Sequence, residues 1–292
     1  MTSTPVSRWW TSPDGLRLHA LDYAGAEGGA KLPVIAIHGL TRNSRDFETV
    51  APYIAGTGRR VLALDVRGRG LSAWDPQPMR YLPTTYAGDV AALMDQAGIA
   101  RAVFVGTSMG GLITMALAFG RSRAIAGAVL NDVGPEVSPA GLGRIAAYTG
   151  RKSQPVETWQ DAADYARSIN EQPFPDRPPA FWDAFARRIF REGEDGRPVL
   201  DYDPAISVPI RAAGPKALTP NLWPLFGRLA RRAPLLLVRG QTSDLLDETI
   251  TARMRRKAPG MAYAEVPGVG HAPMLDEPEA KHAILEFLAR VP

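Results

Sequence analysis

Residues 102–119 read AVFVGTSMGGLITMALAF. Five apolar or small residues, Ala102–Gly106, have the look of a strand buried on both faces. Met109–Phe119 is apolar nearly all round, as a helix packed under a sheet would be. Between them stands Gly106-Thr107-Ser108-Met109-Gly110-Gly111, a G-x-S-x-G turn from strand to helix. Such a turn forces its serine into a strained conformation, so the backbone on either side must carry small residues. It also holds the Ser108 hydroxyl clear of the sheet, at a helix N-terminus. There the helix dipole and free N–H groups favour developing negative charge.

Working outward, other short apolar runs repeat the pattern. They fall at Arg8–Trp10, Leu16–Tyr23, Lys31–His38, Arg60–Asp65, Ala126–Leu130, Pro234–Val238 and Ala262–Val266. Helical patterns lie between several of them. Tyr86–Gly98 is one, with Thr85 expected as N-cap and Gly98 as C-cap. Pro278–Leu288 is another, closing the chain. Strands alternating with helices predict right-handed βαβ units and a doubly wound, mostly parallel α/β sheet. Residues 135–233 break the alternation. They hold no convincing buried strand but are rich in proline, arginine and aromatics, including Trp159, Trp182 and Trp223. A structureless loop of that length is implausible inside a compact domain. The expectation is therefore a core of residues 1–134 and 234–292, with a helical cap of 135–233 inserted after the sixth strand.

Composition excludes several classes of function. The chain has 292 residues, 45% hydrophobic and 22% charged, as in a soluble globular protein. It has no cysteine, which removes thiolate metal sites and a cysteine nucleophile. The formal net charge is +4, with the arginines and lysines dispersed rather than laid in a basic stripe. That argues against a nucleic-acid partner. No apolar run approaches membrane-spanning length, and the opening residues lack the apolar stretch of a secretory signal. A cytoplasmic location is the expectation.

Ser108 needs a base, and the chain offers four histidines: His19, His38, His271 and His282. His19 lies in an alternating strand pattern, His38 ends the third strand, and His282 stands in the last helix. His271, in Gly268-Val269-Gly270-His271-Ala272-Pro273, follows the last strand in a loop that can reach the sheet edge. An acid must orient it. Asp244, just past Pro234–Val238, is the first choice from chain order; Asp132, in Leu130-Asn131-Asp132-Val133-Gly134-Pro135, is the alternative, and Asp247 a more distant one. Two amides would complete an oxyanion hole, those of Met109 and of Leu40 in His38-Gly39-Leu40-Thr41. Arg42 and Asn43 follow at once and are candidate substrate contacts, as are Trp159, Trp182 and Trp223. The stretch Asp65-Val66-Arg67-Gly68-Arg69-Gly70-Leu71-Ser72 does not match a Walker loop and reads as bracing around the site.

In these motifs, taken in order, the chain resembles the α/β-hydrolase superfamily, and within it the capped serine-hydrolase branch. The motifs are HGLT (38–41), DVRGRGLS (65–72), GTSMGG (106–111), LNDVGP (130–135), QTSD (241–244) and GVGHAP (268–273). The resemblance implies Ser108 as nucleophile, His271 as base and Asp244 as the usual acid. It implies neither metal nor organic cofactor. A serine at position 108 sets the chain apart from the dehalogenases and epoxide hydrolases, which use aspartate. The short loop after His38 lacks the HGGG form of lipase-like esterases and the Gly-Pro-Gly stretch of C–C bond hydrolases. The expected activity is hydrolysis of a small, fairly apolar carboxylic ester. A lactonase, a C–C hydrolase of the meta-cleavage type and a haloperoxidase- or perhydrolase-like enzyme stay open as alternatives. So does a small-molecule receptor on the same fold. The sequence leaves the oligomeric state open.

Overall fold

The computed structural model describes residues 4–26, 31–150, 156–217 and 221–292. Residues 151–155 and 218–220 of the expected insertion lie outside the described residues.

The chain opens with two strands, β1 (Val6–Thr11) and β2 (Arg17–Tyr23), turned through Pro13-Asp14-Gly15. Then follow β3 (Val34–Ile37), α1 (Val50–Gly56), β4 (Val61–Asp65), α2 (Pro83–Gln96), β5 (Ala102–Thr107), α3 (Met109–Arg121) and β6 (Ile125–Asn131). Next come α4 (Pro139–Tyr148), α5 (Trp159–Asn170), α6 (Pro179–Ile189), the short strands β7 (Phe190–Glu192) and β8 (Pro198–Leu200), α7 (Val208–Ala217) and α8 (Trp223–Ala230). The fold closes with β9 (Leu235–Gly240), α9 (Glu248–Lys257), β10 (Ala262–Val266) and α10 (Pro278–Arg290).

Eight strands form one sheet in the order β1-β2-β4-β3-β5-β6-β9-β10. The pairs β1/β2 and β2/β4 are antiparallel and every other pair is parallel. The central strands β3 to β6 and β9 are apolar on both faces because each face is covered. One layer packs Phe104, Ile113, Leu130 and Phe226. The other packs Val105, Val129, Ile284 and Phe287. Burial of large apolar side chains at about 1.5–3 kcal/mol each drives this arrangement.

Between β6 and β9 the described residues hold mostly helices, with one antiparallel pair, β7/β8, that no alternating pattern announced. The last helix of this stretch, α8, packs on α3 of the main alternation. Phe226 and Leu229 of α8 are fully buried in the cluster that also holds Ile113 and Met115 of α3. The α8 helix therefore provides the crossover from β6 to β9. Residues 136–221 fall within the expected insertion of 135–233. Their two ends meet, since the Leu222 N–H donates to the Pro135 carbonyl at 2.9 Å. Among other differences, Thr85 is not a cap: α2 begins at Pro83 with Leu82 as its N-cap. Phe119, expected on a buried helix, is 74% exposed. No helix among the described residues is long and apolar enough to cross a membrane.

Candidate active site

The turn after β5 is held by steric exclusion. Ser108 has φ of +50°, a region that non-glycine residues rarely adopt. A side chain at Gly106 would meet the Gly110 carbonyl carbon at 2.5 Å, and one at Gly110 would overlap the Ile37 carbonyl. Those two glycines let α3 start directly beneath the strand end. The Ser108 N–H donates to the Asn131 carbonyl at 2.9 Å, which fixes the turn against β6.

Register then decides which acid arrives. Thr107 pairs with Asn131 in the β5/β6 ladder, so the next residues, Ser108 and Asp132, leave the sheet side by side. His271 comes to both from the loop after β10. Its Nε2 lies 2.9 Å from Ser108 Oγ and its Nδ1 lies 2.8 Å from Asp132 Oδ2. A carboxylate can only accept, so Nδ1 carries the proton and Nε2 accepts from the serine hydroxyl. Asp132 is fully buried and sits at φ of +54°. Its Oδ1 accepts from the Gly240 N–H at 2.9 Å, and its Oδ2 also accepts from the Ser243 hydroxyl at 2.6 Å.

The structure thus brings Asp132, not Asp244, to His271. Asn131 is level with Val238 in the β6/β9 ladder, so Asp244 lies six residues beyond that level. By then the chain has turned toward α4. There Arg144 grips Asp244 through two bonds, Nε to Oδ2 at 2.6 Å and Nη2 to Oδ1 at 2.9 Å. Burial works to raise the Asp244 carboxyl, but Arg144 outweighs it and holds the group below the usual carboxylate range. Asp247 is occupied as the N-cap of α9, accepting from the Ile250 N–H.

Leu40 and Met109 both border the space at Ser108. Met109 opens α3, where helix N–H groups lack an intrahelical partner. Leu40 is steadied from behind by Arg69. That guanidinium is fully buried, donates from Nε to the Leu40 carbonyl at 2.9 Å, and approaches Met109 Sδ at 3.6 Å. Its other donors reach the Arg67 carbonyl and the Tyr86 hydroxyl. The rest of the DVRGRGLS stretch is scaffolding. Asp65 takes the amides of Ser44 and Leu71, and Arg67 gathers Asp14, Asp75 and Asp89. His38 is buried too. Its Nε2 accepts from the Val66 N–H at 3.1 Å while Nδ1 donates to the Gly39 carbonyl at 2.7 Å. Burial pushes its pKa down to about 4.

Of the residues expected to touch substrate, only Arg42 lines a cavity at Ser108. It pairs with Asp46 and lies over the Phe185 ring at 4.1 Å. Asn43 is instead consumed by structure, donating to the Arg188 carbonyl and to Asp201. Trp159 packs under Arg187, Trp182 packs among Phe181 and Phe185, and Trp223 bonds Glu136. None of these three lines the space next to Ser108. Tyr148, Phe174, Phe185 and Ile189 of residues 136–221 do, and no periodicity marks them out from the other aromatics of that segment.

Comparison with known proteins agrees with this architecture. The family model described as "Alpha/beta hydrolase family" matches residues 34–282. A solved alpha/beta hydrolase from Novosphingobium aromaticivorans is 46% identical, with TM-score 0.91 and full coverage of both chains. A 3-hydroxybutyrate-oligomer hydrolase of Cupriavidus necator is 36% identical over 273 residues, covering 91% of each chain. A 2-(acetamidomethylene)succinate hydrolase of Mesorhizobium japonicum is 27% identical, covering 84% of this chain and 83% of that one. The chain belongs to the alpha/beta hydrolase family.

Proposed function

We propose that the protein is a serine hydrolase of small carboxylic esters, working through Ser108, His271 and Asp132. The observation that carries this is the unbroken hydrogen-bonded chain Ser108 Oγ–His271–Asp132, in a space that Leu40 and Met109 also border. Ser108 attacks the ester carbonyl while His271 Nε2 takes its proton. The amides of Met109 and Leu40 receive the oxyanion. Asp132 keeps the proton on Nδ1 and stabilises the imidazolium that forms. His271 then returns its proton to the leaving alcohol, and a water activated by the same ring releases the acid. The relative from Cupriavidus necator supports the ester reading, since units of a hydroxy acid are joined into oligomers by ester bonds.

The test is direct. The purified protein should turn over p-nitrophenyl acetate and label at Ser108 with a fluorophosphonate. Ser108→Ala should lose both, with turnover falling on the order of 10⁶-fold, as for triad knockouts elsewhere. A Ser108→Ala protein with more than a tenth of the parent kcat would remove Ser108 as nucleophile. A folded parent protein that neither labels nor hydrolyses any ester would favour a receptor instead.

A further inference from the structure

Ser108 stands between two cavities, one of mixed polarity and one almost wholly apolar. One, about 80 Å³, lies on the His271 side, where Thr41, Arg42, Asp46 and Asn170 stand among apolar side chains such as Phe174 and Phe185. The other, about 240 Å³, lies on the Met109 side and is walled by Leu112, Val133, Leu142, Ile145 and Ile210. Chemistry assigns a direction to any ester placed across them. The leaving oxygen must receive its proton from His271 Nε2, so the departing alcohol occupies the side that histidine borders. The carbonyl oxygen turns to the two amides. The acyl chain then has to run past Met109 into the larger, apolar space.

Resting on the triad reading above, we propose that the substrates are esters of apolar acyl chains longer than acetyl with small polar alcohols. The acyl chain fills the Leu112–Leu142–Ile210 cavity, and the alcohol's hydrogen-bonding group meets the Thr41–Arg42–Asn170 wall. Arg42 has donors left for this role, because its pair with Asp46 uses Nε and Nη2 only.

Two isomeric esters test the orientation without any variant. 2-Hydroxyethyl hexanoate and hexyl glycolate have the same atoms and differ in which side of the ester bond carries the chain. The first should be hydrolysed with at least about tenfold higher kcat/KM, since each methylene moved from water into an apolar cavity is worth roughly fourfold. Along 2-hydroxyethyl acetate, butanoate and hexanoate, kcat/KM should climb. Leu142→Trp, which fills the cavity, should lower the hexanoate-to-acetate ratio of kcat/KM at least tenfold. Equal or inverted rates for the isomer pair, or an unchanged ratio in a folded Leu142→Trp protein, would overturn the assignment. Fluorophosphonate labelling of Ser108 reports the nucleophile separately. If labelling and p-nitrophenyl acetate turnover hold while the isomer preference inverts, the orientation alone fails; loss of labelling sinks both.

Discussion

Replacing Asp132 by asparagine should be far more damaging than the same change at Asp244, and the hydrogen bonds around Asp132 show why. Its Oδ1 receives the Gly240 N–H, so an asparagine there must keep its carbonyl oxygen at that position. The amide nitrogen then takes the place of Oδ2 and points at His271 Nδ1. A donor facing Nδ1 forces that nitrogen to accept, which moves the ring proton to Nε2, against the Ser108 hydroxyl. The imidazole in that tautomer cannot take the serine proton. The charge is lost as well. A carboxylate about 4 Å from an imidazolium contributes roughly 4 kcal/mol at an effective dielectric of 20, close to 10³-fold in rate. Tautomer and charge together match the roughly 10⁴-fold cost of the corresponding change in a serine protease. We expect Asp132→Asn to lower kcat for p-nitrophenyl acetate by 10³–10⁴-fold on this basis. Asp244→Asn removes only a partly exposed ion pair with Arg144, for which less than about tenfold is expected. Steady-state kinetics on both variants, with folding checked by circular dichroism, decide the matter. A larger loss at Asp244, or more than a tenth of the activity left in Asp132→Asn, would refute the assignment.

His38 predicts an acid-sensitive stability. Its folded pKa of about 4 lies below the ordinary 6.5, so the contribution is complete above pH 6.5 and disappears as pH falls to 4. The full effect is about 3 kcal/mol by linkage, and urea midpoints of His38→Gln should be correspondingly flatter over that window than those of the parent; parallel curves would rule it out. Arg69→Met should lower kcat about 10–100-fold while moving KM less than threefold, because the Leu40 peptide loses its brace. Arg69→Lys should restore part of that loss, whereas a change in KM alone would mean Arg69 does not act through the Leu40 peptide. Asn131 donates to Thr107 Oγ1 and to the Pro273 carbonyl, clipping the serine turn to the histidine loop. Asn131→Leu should therefore cut fluorophosphonate labelling at least tenfold in a protein that still melts cooperatively; labelling at the parent rate would show that the clip is dispensable.

Most of the sheet was legible because a strand buried on both faces leaves a run that nothing else explains. Ala102–Gly106 lies within β5, and all of Pro234–Val238 but its proline lies within β9. Ser108 and His271 were legible for a similar reason, since their glycine-flanked loops need small neighbours. Which carboxylate meets His271 was not, because that rests on register. Asp132 and Asp244 each follow a strand, and only the Thr107–Asn131 pairing shows that Asp132 emerges beside the serine. The aromatics of residues 136–221 defeated sequence reasoning in another way. Trp182 and Phe185 are three positions apart on α6 and both are buried, yet only Phe185 borders the cavity. Which side of a packed helix faces an empty space is a property of its neighbours, not of its own periodicity.

The hydrogen bond between Leu222 and Pro135 has a consequence for how this protein can be remade. Everything assigned a chemical role, from Leu40 to Met109, Asp132 and His271, lies outside the bounds it sets, whereas much of the wall around both cavities lies within them. The two ends are joined at 2.9 Å, so the segment leaves and re-enters at one point, but it is also seated on the core: Asn43 donates to the Arg188 carbonyl and to Asp201, and the Tyr81 hydroxyl donates to Asp203. A graft at that point would therefore have to bring two things, ends that meet and buried partners for the core side chains that now reach into the segment.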